Sequence, residues 1–376
     1  MVSDRIDVIL RGDSSGNNMI VRARLSSGRH IYGFATENFY GGDWDLGPTW
    51  NYLVTAKRPF LVDAGRRGKG RQLVELIEFA GFRARDIDAV ILSHGHEDHV
   101  GGIFELMNII EAPVMAHEVY GCLVRANAGA APSVEKAAFP ASCWCCPMPE
   151  NYYERHCLEF NRERQGMSIA DIGITGEAIP GVEVFHTPGH CPDSVCLLID
   201  GEAILTGDTI LPEITPLPTL ESDFHVVKPV LPGKWEEAQQ LFGLRAYIRS
   251  LRRLKTLALS SDGILVLPAH RLYYRDRWNE LDLKNRIEEL VQHHIERCRD
   301  FMRILRTGPK TPRELATEHF QPDLLTGYGI NLALNEVKSH CELMEISQDV
   351  VIESGKASSI GSENFSALIH DLLRSG

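Results

Sequence analysis

Apolar and polar stretches alternate through residues 1–64, punctuated by Gly and Asn. Ile6 to Leu10, Met19 to Ala23 and Tyr52 to Thr55 are short apolar-rich stretches set between polar ones, which predicts strands of a sheet. Pro59-Phe-Leu-Val-Asp63-Ala-Gly65 is a short apolar strand ending in a turn. Leu73, Leu76, Ile77 and Ala80 then repeat at the helical period, so an amphipathic helix is predicted over 70–80. Asp88 to Ser93 returns to a buried strand, and Val100 to Ile110 to a helical pattern. The intervening Ser93-His94-Gly95-His96-Glu97-Asp98-His99 therefore falls on a strand-to-helix loop, where rigid neighbours can fix its side chains.

Ala112 to Ala116 reads as a strand and Glu118 to Arg125 as a helix. Residues 126–170 lack a period and read as an insertion or lid. Strands resume at Val182 to His186, Val195 to Asp200 and Ala203 to Thr206. A Pro-rich connection, Leu217 to Pro232, precedes a helix from Trp235 to Leu254 and a last strand from Gly263 to Leu267. Beyond residue 276 the pattern is helical. Trp278 to Leu305 forms one long helix, Thr311-Pro-Arg-Glu314 has the form of a capping box with Pro at the first helical position, and Gly329 to Met344 is a further helix. Two short helices followed by strand character between Ile346 and Glu353 suggest a small winged-helix-like unit, and Ser362 to Leu373 closes the chain. The expected organisation is a catalytic domain over 1–275, with 126–170 inserted, and a mostly helical domain over 276–376.

Composition narrows the function classes. With 39 Lys and Arg against 51 Asp and Glu, the 376 residues carry a formal charge of -12, which disfavours a general nucleic-acid or anionic-membrane binder. The stretch from Asp276 onward holds 12 basic and 17 acidic residues. No uncharged apolar run approaches membrane-spanning length, and charges precede any apolar core of a signal peptide, so a cytoplasmic protein is expected. Its nine irregularly spaced cysteines then read as reduced thiols.

Three imidazoles and a carboxylate within six residues suit zinc, iron or manganese, and burying them without a cation is costly. Further donors end later strands: His190 in His186-Thr-Pro-Gly-His190, Asp208 in Thr206-Gly-Asp208, and His270 in Pro268-Ala-His270. In type, spacing and order this set resembles the metallo-beta-lactamase superfamily, whose hallmark is H-x-H-x-D-H followed by a His, a bridging Asp and a final His. The resemblance covers roughly residues 15–275. It implies a four-layer αββα sandwich of the α+β class, with two divalent metal ions, zinc first and iron or manganese as alternatives. His94, His96 and His190 would hold one ion, Asp98, His99 and His270 the second, with Asp208 bridging. It also implies hydrolysis: water shared by the two cations loses a proton near neutral pH and attacks carbon or phosphorus, with Asp98 as the catalytic as well as ligating carboxylate.

The helix before His270 and the helical tail resemble the glyoxalase-II-like branch, which implies an acyl-CoA or related acyl-thioester substrate. Lactone hydrolysis, phosphodiester or RNA cleavage, and a nucleic-acid-binding regulator with a vestigial site are the alternatives; the acidic tail weighs against the last two. Arg271, Arg275 and Arg277 could meet the phosphates of a CoA-type substrate or form surface ion pairs. His186 reads first as structural and second as a partner behind His190; His225 ranks lower, Glu97 reads as a solvated loop charge, and Cys191 as a bystander or an outer partner of the site. Cys143, Cys145, Cys146 and Cys157 read as free thiols before a structural zinc, and Trp144, Tyr152, Tyr153 and Phe160 as packing before an acyl pocket. The apolar face of Ile287, Leu290, Val291 and Ile295 predicts packing across the site mouth or a homodimer.

Overall fold

The computed structural model describes residues 5–39, 45–126, 158–164, 166–173, 179–261 and 263–374. Its first sheet runs in chain order: β1 (Ile6–Leu10), β2 (Ile20–Arg24), β3 (His30–Thr36), β4 (Thr49–Val54), β5 (Phe60–Val62), β6 (Ala89–Ile91), β7 (Val114–Ala116) and β8 (Ile169–Asp171). Pairing is antiparallel through β5 and parallel from β5 to β8. Crossovers carry α1 (Gly70–Phe79), α2 (Glu97–Val100), α3 (Ile103–Met107), α4 (Glu118–Ala126) and α5 (Leu158–Arg164). The second sheet orders its strands β12 (Leu265–Pro268), β11 (Ala203–Gly207), β10 (Val195–Ile199) and β9 (Val182–His186).

Side-chain alternation builds three apolar layers from these two sheets. Val21, Trp50, Tyr52, Leu197, Ile199 and Leu205 meet between the sheets. On the outer face of the first sheet, Ile20, Leu53 and Val90 pack against Leu73 and Ile77 of α1 and Ile103 of α3. On the outer face of the second, Cys196, Leu198, Ile204 and Val266 pack against α7 (Gly243–Ser260), which follows the short α6 (Phe224–Val227). Helix, sheet, sheet, helix is the layering that was expected.

Beyond a small hairpin, β13 (Tyr273–Tyr274) with β14 (Arg277–Trp278), come α8 (Leu283–Leu305), α9 (Pro312–His319), α10 (Gly329–Ile346), the hairpin β15 (Val350–Glu353) with β16 (Lys356–Ser359), and α11 (Phe365–Arg374). The core behind the second sheet continues through Leu244, Ile248 and Leu251 of α7 into Ile287, Leu290, Val291 and Ile295 of α8. The apolar face of α8 is therefore buried within this chain and offers no surface to a second copy.

Several boundaries differ from expectation for local reasons. Strand β3 was missed because Gly33 interrupts its alternation. The helix over 100–110 is two, α2 and α3, because Gly101 and Gly102 let the chain press against the β5 turn; a Cβ at Gly102 would collide with the Ala64 carbonyl oxygen. Helix α7 begins at Gly243 rather than Trp235, since the Gln240 side chain accepts from the Glu236 and Glu237 amides and closes a separate turn. Asp282 caps α8 by accepting from the Asn285 amide at 2.7 Å, so the helix starts there and not at Trp278. Part of the predicted insertion is core: β8 pairs with β7 and Phe160 of α5 is fully buried. Cys143, Cys145, Cys146 and Cys157, with Trp144, Tyr152 and Tyr153, lie outside the described residues.

Candidate metal centre

All seven predicted donors project from the same end of the two sheets. His94 and His96 sit on the loop after β6, and Asp98 and His99 on α2; His190 lies between β9 and β10, Asp208 directly after β11, and His270 after β12. They form two groups. His94, His96, His190 and Asp208 offer donor atoms within 4.8 Å of one another, and so do Asp98, His99 and His270. Asp208 stands between them: its Oδ2 is 3.5 Å from His190 Nε2 and 4.0 Å from His94 Nε2, while its Oδ1 is 3.5 Å from both His99 Nε2 and His270 Nε2.

Hydrogen bonds behind the imidazoles decide which nitrogen faces inward. His190 Nδ1 donates to the Leu217 carbonyl at 2.9 Å and His270 Nδ1 to the Pro48 carbonyl at 3.2 Å, leaving Nε2 of each as a lone pair. Asp63 does the same for two more. Its Oδ2 accepts from His99 Nδ1 at 2.9 Å and from the Ser93 hydroxyl at 2.7 Å; that hydroxyl oxygen, 3.0 Å from His94 Nδ1, accepts from it in turn. Asp63 Oδ1 also accepts from the Ser93 amide at 2.7 Å. On the other side, Asn38 Nδ2 donates to Asp98 Oδ2 at 2.9 Å. His96 turns Nδ1 inward, 3.0 Å from His94 Nε2 and 3.1 Å from His190 Nε2.

The donor set fits divalent cations. Among the described residues, His99 Nε2, His270 Nε2 and Asp208 Oδ1 are buried without a hydrogen-bond partner, and all three face the space between the groups. Burial pushes His94 and His190 below their ordinary values, with neighbouring imidazoles adding to the shift, which favours the neutral ligand form. Burial also opposes the protonation of His99 and His270, but the facing carboxylates, Asp208 foremost, outweigh it and hold both above the usual range. That excess of negative charge is what a cation compensates. Gly189, at φ +132°, brings the backbone before His190 against Tyr247, where a Cβ would collide with the Tyr247 Cα.

The family pattern of the metallo-beta-lactamase superfamily matches residues 44–270, three-fifths of the chain and every donor above. The chain belongs to the metallo-beta-lactamase superfamily. Over 316 residues it is 23% identical to the beta-lactamase-like protein 2 homolog of Caenorhabditis elegans, covering 83% of each chain. It is 26% identical over 179 residues to an N-acyl homoserine lactonase from Bacillus sp, a stretch covering 41% of this chain and 59% of that protein. The fold is shared with a metallo-beta-lactamase family protein from Thermus thermophilus, at a TM-score of 0.63 and 20% identity over 88% of this chain and 98% of the other. The chain spans about half to three-fifths of the length of the first relatives it matches, and family, fold and the two His/Asp groups together describe a candidate metal centre of the metallo-beta-lactamase superfamily.

One expectation is corrected around this site, and the other predicted residues take structural places. Glu97 is buried rather than solvated: Oε1 accepts from the Arg67 amide at 2.7 Å, which locks α2 against the β5 turn. His186 reaches no donor of either group; its Nε2 donates to the Pro192 carbonyl at 2.9 Å, bracing the loop that carries His190. His225 is exposed on α6. Arg277 pairs with Glu213, and Arg271 donates to the Asp45 carbonyl at 2.7 Å over the Tyr274 ring, so both are engaged by protein partners. Cys191 is fully buried. Asp63 and Asn38 were the residues missed. A carboxylate ending a wholly apolar strand was the available signal for Asp63; none marked Asn38. Among the described residues no helix is long and apolar enough to cross a membrane.

Proposed function

We propose that this chain hydrolyses an acyl compound at a two-metal site, with a thioester of the acyl-CoA type as first substrate class. The observation carrying the proposal is Asp208, whose two carboxylate oxygens face separate donor groups. On this reading His94, His96 and His190 take one divalent ion, Asp98, His99 and His270 the other, and Asp208 both. Zinc, iron and manganese all suit nitrogen and carboxylate donors, zinc first. When bound, such a pair supplies Lewis acidity, lowering the pKa of water and polarising the scissile carbonyl.

The chain's own residues do the positioning. Asp63, Leu217 and Pro48 accept the outer imidazole protons, so that each ring presents a lone pair without rearrangement. Asn38 donates to Asp98 Oδ2 and holds this carboxylate beside His270, whose Nε2 lies 3.2 Å from the same oxygen. The resemblance to the glyoxalase-II-like branch favours a thioester, and the helix–helix–hairpin order of the C-terminal region agrees with the winged-helix-like unit of that branch. Lactone hydrolysis is the second reading, favoured by the similarity to the Bacillus lactonase. The net acidic C-terminal stretch weighs against RNA as substrate.

Acyl-CoA thioesters, a glutathione thioester, an acyl-homoserine lactone, a beta-lactam and an RNA, assayed with the wild type and Asp98→Ala, test the assignment. The expected result is thioester turnover falling by roughly 10²-fold or more in Asp98→Ala, on the scale of lost catalytic groups. Cleavage of RNA alone, dependent on Asp98, would sink it.

A further inference from the structure

A second set of donors, two of them buried and one half-buried, lies between α8 and α10, away from the centre described above. His293 and His294 on α8 and Glu336 on α10 each place one donor atom within 4.8 Å of the others, with His293 Nε2 3.5 Å from Glu336 Oε1. The protons are fixed in sequence. His340 Nδ1 donates to the Glu336 carbonyl at 2.7 Å, so its Nε2 is the acceptor for His294 Nδ1 at 3.0 Å. His294 Nε2 is thereby left as a lone pair on a fully buried ring. Among the described residues it has no hydrogen-bond partner, nor have His293 Nε2 and Glu336 Oε1. Leaving a buried polar atom without a hydrogen bond is unfavourable by about 1–3 kcal/mol, and around Glu336 Oε1, among the described residues, only the longer approaches of His293 Nε2, Arg297 Nη1 and His340 Nδ1, at 3.5, 3.7 and 3.8 Å, offset it. An imidazole whose outer nitrogen is committed to a fixed acceptor is the arrangement that orients metal-ligating histidines.

Arg297 is the group that competes. Its Nη1 lies 3.7 Å from Glu336 Oε1, close enough to offset charge, yet that nitrogen also lacks a hydrogen-bond partner and sends nothing to His294. The His293 side chain is 30% exposed and gives a small cation a way in.

We propose that His293, His294 and Glu336 form a separate site for a divalent cation of the zinc class, linking α8 to α10. Two imidazoles and one carboxylate leave a coordination position for water. The site backs onto the catalytic half. The His294 ring meets Tyr247 edge-on at 5.6 Å, and the Tyr247 hydroxyl donates to the carbonyl of Thr209, the residue after Asp208, at 2.9 Å.

The test is metal stoichiometry, measured by elemental analysis after dialysing full-length protein against buffered zinc. Wild type, His293→Asn, Arg297→Met and the double variant His96→Ala/Asp208→Ala, the last with and without His293→Asn, are compared, with circular dichroism to confirm folding. His293→Asn should hold one equivalent fewer than wild type and keep its hydrolytic activity. Arg297→Met should retain that equivalent and bind it more tightly, since a repelling charge is gone. In the double variant, one equivalent sensitive to His293→Asn should survive however many ions the first centre takes, so failure of either assignment is read separately. The proposal is overturned if His293→Asn changes the stoichiometry in neither background. It is equally overturned if Arg297→Met, folded by circular dichroism, loses that equivalent.

Discussion

Asp63 accepts three hydrogen bonds, and through them it aligns a ring in each donor group: His99 directly and His94 by way of the Ser93 hydroxyl. Asp63→Asn puts an amide donor where only acceptors work, while keeping size and shape. Metal affinity is expected to fall by about 10–100-fold, the usual cost of losing an outer partner of a ligand. Chelator competition measures this, and an unchanged affinity would refute the role. The seven donors themselves were legible because their residue types and order are unusual and local. Their supporting residues were not, because Asp63 and Asn38 act through contacts 30 to 60 residues away along the chain. Glu97 misled for the same reason: a charged residue in a loop reads as solvated until the Arg67 amide that it accepts from is known.

The elements were legible wherever periodicity and capping agreed. Thr311 shows this best. Its hydroxyl accepts from the Glu314 amide and the Glu314 carboxylate accepts from the Thr311 amide, the reciprocal box read from Thr-Pro-Arg-Glu, with Pro312 opening α9. Thr311→Ala should lower unfolding free energy by about 1 kcal/mol, observed as a shifted urea midpoint at unchanged slope. An effect near zero would mean that packing of Leu315 and Ala316, both fully buried, holds the helix unaided. Boundaries failed where tertiary contact overrides local preference. The Gln240 side chain ends one turn before α7 can begin, and the double glycine at 101–102 divides a pattern that reads as continuous.

At the scale of the molecule, the core behind the second sheet belongs to both sides of residue 276. Further polar ties bind the C-terminal helices to the segment after Asp208. Arg286 donates to the Leu211 and Ile214 carbonyls, Asn335 to the Pro218 carbonyl, and Glu342 accepts from the Glu221 and Ser222 amides. A chain truncated at residue 276 would expose Ile248, Leu251 and Leu254 of α7 to water, at about 1.5–3 kcal/mol for each fully buried side chain uncovered. Size-exclusion chromatography should find it aggregated, and a monomer with full activity would refute this. The shared core was not legible, because the helical texture of the tail alone suggested a separable unit.

Each donor group also draws on both sheets: His94, His96, Asp98 and His99 hang from the first, and His190, Asp208 and His270 from the second. An ion in either group would therefore act as a rivet through the sandwich. Occupancy and global stability become linked quantities, because a cation that binds only when both halves are aligned favours the assembled state by mass action. Thermal melting of this protein is thus also a gauge of how much metal it carries.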